Sequence, residues 1–169
     1  MTLSFETQRL KVDEVSKELA LNERSALVEK IPYILTPSVV ENLPPYFHGI
    51  TSSELSITWL DRMQLESRLL LVKSQDNELI GFLFVYVENE SEAYIGYLLS
   101  EKHWGQGLAS ELLQCFIQEV ARVEPWSKLI GGVEISNVAS ANLLKKLGFV
   151  EQAGNEISVT FYEYRISRP

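Results

Sequence analysis

The chain has a single cysteine, Cys115, so it can form no internal disulfide, and this fits a reducing compartment. It lacks an apolar run of membrane-spanning length and an N-terminal segment of the signal-peptide kind, which points to a soluble cytoplasmic protein. Positive charge is scarce: 15 Lys and Arg against 23 Asp and Glu give a formal net charge of −8. Lys145-Lys146 is the only basic pair. Neutralising a phosphate backbone needs a basic face, so no nucleic-acid partner is expected, and without a spanning run no membrane partner is expected either. An acidic surface favours cationic partners, though its usual meaning is solubility. Internal repeats, low-complexity tracts and linkers are missing too. At 169 residues the chain reads as one domain, 1–169, with a substantial core.

What is present is organised around residues 92–119, EAYIGYLLSEKHWGQGLASELLQCFIQE. Residues 94–99 are aromatic, β-branched or large and apolar, as in a buried strand. Gly105 and Gly107 flank Gln106, and then Leu108, Leu112, Phe116 and Val120 recur every fourth residue. Ala109 and Leu113 widen that stripe to a core-facing helix. A strand therefore gives way to a helix across two glycines. The first turn of a helix has amides without intrahelical partners and partial positive charge, and glycines let an anion approach the backbone. The junction suits a phosphate or pyrophosphate, although the same glycines can serve only the path of the chain.

Gly105, Gly107 and Ser110 nearly fill G-x-G-x-x-G/A, but a dinucleotide site should open a βαβ unit with an acidic residue about 20 positions on. Here consecutive antiparallel strands precede the glycines, and Glu124 falls in a polar loop before Pro125. A P-loop is excluded because no Gly-Lys-Ser/Thr follows.

Around this centre the pattern predicts a short strand within 5–15, a helix over 16–29, and short helical pieces punctuated by Pro32, Pro37 and Pro44-Pro45. A helix capped by Ser52 or Ser53 runs to about Ser67. Strands follow over 68–73, 79–87 and 94–99, joined by short polar turns that suit antiparallel neighbours. After the central helix come a strand over 128–136, a helix over 138–147, and β-rich sequence at Val150 and over 157–166. The crossover from Tyr94 to Ser136 should be right-handed and make its two strands parallel. The expected fold is α/β of the α+β kind: a mixed, mostly antiparallel twisted sheet with one parallel strand–helix–strand crossover and helices on both faces.

These residues resemble the GNAT superfamily of N-acetyltransferases over nearly the whole chain. The family's Q/R-x-x-G-x-G/A reads here Trp104-Gly105-Gln106-Gly107-Leu108-Ala109, with Trp104 in place of the usual Gln or Arg. Asn137-Val138-Ala139-Ser140-Ala141-Asn142 through Leu147-Gly148-Phe149 resembles the N-x-x-S … K-x-G-F block of the branch that acetylates ribosomal-protein N-termini and small amines. The opening Glu6-Thr7-Gln8-Arg9-Leu10 resembles the start of that branch.

The resemblance implies acetyl-CoA as cosubstrate, no metal, and a primary amine as acceptor, either a protein N-terminus or a small molecule. It implies that the 105–110 amides, from Gly105, Gln106, Gly107, Leu108, Ala109 and Ser110, hold the pyrophosphate, next to Trp104. It also implies that the backbone of Leu98, Leu99 and Ser100 pairs with the pantetheine arm, as an added strand would. Asn137 and Asn142 would sit near the reactive end; Asn137 equally fits a helix N-cap. Direct transfer needs a neutral amine, a stabilised oxyanion and a leaving thiolate. Relatives place a glutamate just before the Gly-Tyr of the central strand, where this chain has Tyr94, with Glu92 two residues earlier. Relatives with a tyrosine acid carry it where this chain has Leu144. The catalytic candidates are therefore Tyr94, Ser140, Glu92 and Glu134, with proton removal expected to run through water. A non-catalytic acyl-CoA-binding module is the alternative, and the sequence leaves monomer or dimer open.

Overall fold

In the computed structural model, which describes residues 2–153 and 158–168, the chain opens with a hairpin of β1 (Ser4–Glu6) and β2 (Leu10–Glu14). Sequence periodicity suggests one strand here; Thr7 to Arg9 turn it into two. Helix α1 (Leu21–Ile34) begins and ends five residues later than its charge pattern predicts. Its N-cap, Ala20, offers no side-chain acceptor, so nothing in the sequence marks the start. Pro32 lies in the last turn of α1 instead of after it, because buried Ile31 and Ile34 hold that turn against the core. Tertiary packing overrides the local preference of proline. The short pieces that follow are α2 (Pro37–Val40), with Pro37 in its first turn, and a 3₁₀ turn at Pro45–Phe47.

Helix α3 (Ser53–Glu66) is capped by Ser52, whose hydroxyl accepts the Leu55 N–H at 3.2 Å. Then β3 (Arg68–Ser74), β4 (Leu79–Val87) and β5 (Glu92–Leu99) run antiparallel in sequence. Helix α4 (Leu108–Val123) crosses over to β6 (Lys128–Glu134), which lies parallel to β5. Helix α5 (Val138–Lys146), β7 (Val150–Glu151) and β8 (Val159–Arg165) complete the chain. Among the described residues, eight strands form one sheet in the order β1-β2-β3-β4-β5-β6-β8-β7. The mixed, mostly antiparallel sheet with one parallel pair is as expected. Ile157, expected in the last strand, lies outside the described residues.

Helices cover both faces. On one, Leu112, Leu113, Phe116 and Val120 of α4 pack on Ala93, Ile95 and Leu129. On the other, Leu27, Val28 and Ile31 of α1 and Trp59, Leu60 and Met63 of α3 pack on Leu69, Phe82 and Leu98. Among the described residues, no helix is long and apolar enough to cross a membrane.

One contact fixes the centre of the sheet. A Cβ built on Gly81 would stand 2.2 Å from the Leu98 carbonyl oxygen, closer than any side chain tolerates. Beside it, the β3–β4 register shifts between Val72 and Lys73, which leaves Ile80 as an extra residue on β4. Gly81→Ala should therefore lower unfolding free energy by roughly 1–3 kcal/mol, as overpacking does. Urea unfolding checks this; an unchanged midpoint would mean that β4 can move away from Leu98.

Candidate active site

Strands β5 and β6 are paired only from Glu92–Lys128 to Ile95–Gly131. Beyond that point both continue, β5 to Leu99 on β4 and β6 to Glu134 on β8, but they no longer pair with each other. A cavity of about 500 Å³ opens at this parting. Its walls come from β5, the 103–110 loop and α4 start, the 137–143 segment, and residues 38–43 on the far side.

Backbone hydrogen bonds at each end of β5 decide which amides face the gap. Glu92 O accepts from Glu88 N–H at 3.1 Å, and Ser100 N–H donates to Ile80 O at 2.7 Å. Alternate residues of a strand turn to the same neighbour, so Leu98 and Ser100 face β4, and Tyr97 and Leu99 face the gap. Of the expected Leu98, Leu99 and Ser100, only Leu99 turns its backbone to the gap, and Tyr97 joins it there. The Leu99 carbonyl already accepts the indole N–H of Trp104 at 2.8 Å, which gives Trp104 a role in shaping the loop. The Ser100 hydroxyl lies 2.6 Å from Nδ1 of His103, a cavity residue with no motif to mark it in the sequence.

The glycine loop has the open form that an anion needs. Gly105 and Gly107 have φ of +74° and +76°, conformations that favour glycine. A Cβ on Gly105 would meet nothing within 4 Å. The first i→i−4 bond at the head of α4 joins Glu111 N–H to Gly107 O at 3.1 Å, so the amides of Leu108, Ala109 and Ser110 have no partner within the helix. Gly105, Gly107, Leu108, Ala109 and Ser110 line the cavity, while Gln106 turns its side chain back, Nε2 donating to Lys102 O at 3.2 Å. The residues present therefore fit a diphosphate.

The β1–β2 turn holds this loop in place. Glu111 accepts from the Thr7 hydroxyl, from Arg9 N–H at 2.9 Å and from Arg9 Nε at 2.7 Å. Arg9 Nη1 donates to Gln106 O at 2.8 Å. Burial raises the Glu111 pKa, but the Thr7 and Arg9 hydrogen bonds outweigh it and hold the carboxyl below the ordinary glutamate value.

On α5, Asn137 is the N-cap, accepting Ser140 N–H at 3.3 Å, and it also lines the cavity. Asn142 is exposed and does not line it. Ser140 Oγ accepts the Tyr97 hydroxyl at 3.1 Å inside the cavity. Tyr97 is a residue that sequence reasoning missed: the alternation of β5 marks its face, but its partner on α5 is set by folding. Burial raises its pKa against the lowering effect of the Ser140 bond, so the phenol stays protonated. Leu144, in the position of the absent tyrosine acid, is core, and its Cδ1 would be 3.0 Å from a Cβ on Gly131.

Three expected candidates are not brought to this cavity. Glu92 and Tyr94 lie at the opposite end of β5, paired with Lys128 and Ile130. Glu92 is 3.4 Å from Lys128 Nζ, which also bonds Glu163 at 2.6 Å. Burial, then Glu88 and Glu92, raises the Tyr94 pKa. Glu134 ends β6 outside the cavity lining. A strand rises about 3.3 Å per residue, so Glu92 is roughly 20 Å from the Tyr97–Leu99 end. Cys115 is half-buried on α4, and burial, then Glu111, raises its thiol pKa. It does not line the cavity.

Several solved acetyltransferases share this fold. A ribosomal L7/L12 alpha-N-protein acetyltransferase, RimL, in complex with coenzyme A superposes with a TM-score of 0.78 at 20% identity, over 97% of this chain and 98% of that one. The enzyme from Salmonella typhimurium that modifies the N-terminal serine of L7/L12 gives 0.75 at 20% identity, over 95% and 97%. The microcin C7 self-immunity acetyltransferase MccE, bound to acetyl-CoA and AMP, gives 0.74 at 15% identity, over 94% and 93%. Residues 23–150 match the model of the acetyltransferase (GNAT) domain, and the chain belongs to that family. A Bacillus licheniformis relative, uncharacterized N-acetyltransferase p20, is 29% identical over 116 residues, 66% of this chain. The match spans 65% of that relative's length.

The depressed Glu111 pKa carries a sign that can be measured. A carboxyl with a lowered folded-state pKa contributes stability above its unfolded pKa, and that contribution is lost as pH falls through the folded one. Glu111→Gln should be less stable than the parent at neutral pH, and the gap should close well below about pH 4, the ordinary glutamate range. Thermal unfolding of both proteins across that window checks it.

Proposed function

We propose that the protein is an acetyl-CoA-dependent N-acetyltransferase that transfers the acetyl group directly to a primary amine. The parting of β5 and β6 beside the open glycine loop carries this reading. When bound, acetyl-CoA supplies an acetyl group activated as a thioester. The 105–110 loop and the head of α4 hold the diphosphate. Gap-facing Tyr97 and Leu99 amides pair with the arm, and Asn137 and Ser140 lie near its reactive end. The Tyr97–Ser140 pair carries a proton with a phenol kept neutral, which suits donation to the departing thiolate better than abstraction from the amine. With no carboxylate of β5 or β6 in the cavity, the amine loses its proton through water. Glu41, in the far wall, and the acidic balance of the chain favour an acceptor that arrives as a cation. The acceptor is a protein N-terminus or a small amine; the fold shared with the L7/L12 enzymes supports testing both. A cytoplasmic location fits this substrate pair.

Gly105→Asp is the sharpest test of the cradle. Aspartate is among the residues that tolerate the left-handed region, and the side chain enters open space, so the fold should persist. Calorimetry should show CoA affinity reduced about tenfold or more by the added charge. Unchanged affinity in the folded variant would remove the loop from the mechanism.

Ser140→Ala should lower kcat by about 10²-fold, the lower range for a positioned acid. Glu92→Gln should stay within about tenfold of the parent, well short of a positioned base. CoA binding without thiol release across an amine panel would instead identify a non-catalytic acyl-CoA-binding module.

A further inference from the structure

We propose that Arg9, presented by the β1–β2 turn, is a further ligand of the diphosphate held at the head of α4. This rests on the reading of the loop as a CoA cradle. The guanidinium is fixed on two sides: Nε donates to Glu111 at 2.7 Å and Nη1 to Gln106 O at 2.8 Å. Its remaining nitrogen, Nη2, lies 3.6 Å from the position a Cβ would take on Gly107, the N-cap of α4. Nη2 therefore stands over the residue whose following amides form the cradle. Among the described residues, Nη2 has no hydrogen-bond partner, and the side chain is 45% exposed, so it is open to a ligand from solvent.

The surrounding groups explain why an arginine suits this position. Glu111 puts a negative charge in the first turn of α4, where it favours the helix but opposes a bound anion. Arg9 neutralises that carboxylate with one edge of a planar fork and leaves another donor for phosphate. A lysine has one charged nitrogen and cannot hold Glu111, the Gln106 carbonyl and a phosphate in this geometry. Thr7, bonded to Glu111 and accepting both Arg9 N–H at 3.2 Å and Leu10 N–H at 2.9 Å, sets the turn that aims the side chain. The β1–β2 turn thus becomes a third wall of the cradle, supplied from a part of the chain that precedes the helix by about a hundred residues.

The experiment compares CoA with pantetheine, which lacks the diphosphate, by calorimetry on the full chain. Arg9→Gln should weaken CoA binding about tenfold, in line with loss of one exposed charge-assisted hydrogen bond, and leave pantetheine binding within about twofold. Arg9→Lys should fall between Arg9→Gln and the parent, with thermal unfolding confirming that both variants fold. The double variant Arg9→Gln/Glu111→Gln should remain weaker for CoA than the parent; full recovery would reduce Arg9 to neutralising Glu111 and overturn its role as a ligand. Equal losses for CoA and pantetheine, or an unchanged CoA affinity, would overturn it as well. A parent protein that binds CoA no better than pantetheine would overturn the cradle itself, and with it this role for Arg9.

Discussion

The site depends on two neighbouring strands that stop sharing hydrogen bonds. Past Ile95 and Gly131, β5 and β6 each keep their outer partner and lose each other. Unpaired backbone groups facing a gap are costly when buried, so the gap has to be wet or occupied. An extended ligand arm with amide groups of its own meets that requirement. The same parting lets α4 and α5 bring their N-terminal ends to one cavity.

Several local features hold the strands at that separation. Gly81 lets β4 approach the Leu98 carbonyl, which pins β5 on its outer side. Gly131 lets Leu144 of α5 come down on β6. The Trp104 indole holds the Leu99 carbonyl and ends the strand in a fixed loop. On the far side, the Ser136 hydroxyl donates to Asn42 Oδ1 at 3.1 Å and ties the loop after β6 to the segment that closes the cavity. None of these contacts is large alone. Together they make the opening a built feature of the sheet.

Charge is distributed with the same economy. Among the described residues, the lining of the cavity has Glu41 as its carboxylate and no lysine or arginine, so the groups offered to an anion at the loop are backbone amides and, in our proposal, Arg9 at its rim. Ionic clusters elsewhere, such as Arg68 with Glu14 and Glu124, or Lys128 with Glu92 and Glu163, brace the ends of strands away from the cavity. Glu92 belongs to that bracing. It stands two residues before the position where the resemblance puts a glutamate, and its pairing with Lys128 keeps it at the end of β5 away from the cavity.

Periodicity and glycine placement in the sequence determined the element order after the opening hairpin, the crossover from β5 through α4 to β6, the two covered faces and the position of the glycine loop. These are local properties: a helix stripe, an alternating strand and a left-handed glycine are each fixed by residues a few positions apart. The start of α1 was not legible because Ala20 gives no capping signal, and the passage of Pro32 inside it was not because packing of Ile31 and Ile34 outweighed the local signals. The site shows the same limit. Which amides of β5 face the gap depends on hydrogen bonds at Glu88 and Ile80, outside the strand itself. The meeting of Tyr97 with Ser140, and of Arg9 with Glu111, joins residues 43 and 102 positions apart. Only the tertiary structure decided those pairs, since their geometry is set by how sheet and helices pack and not by any pattern along the chain.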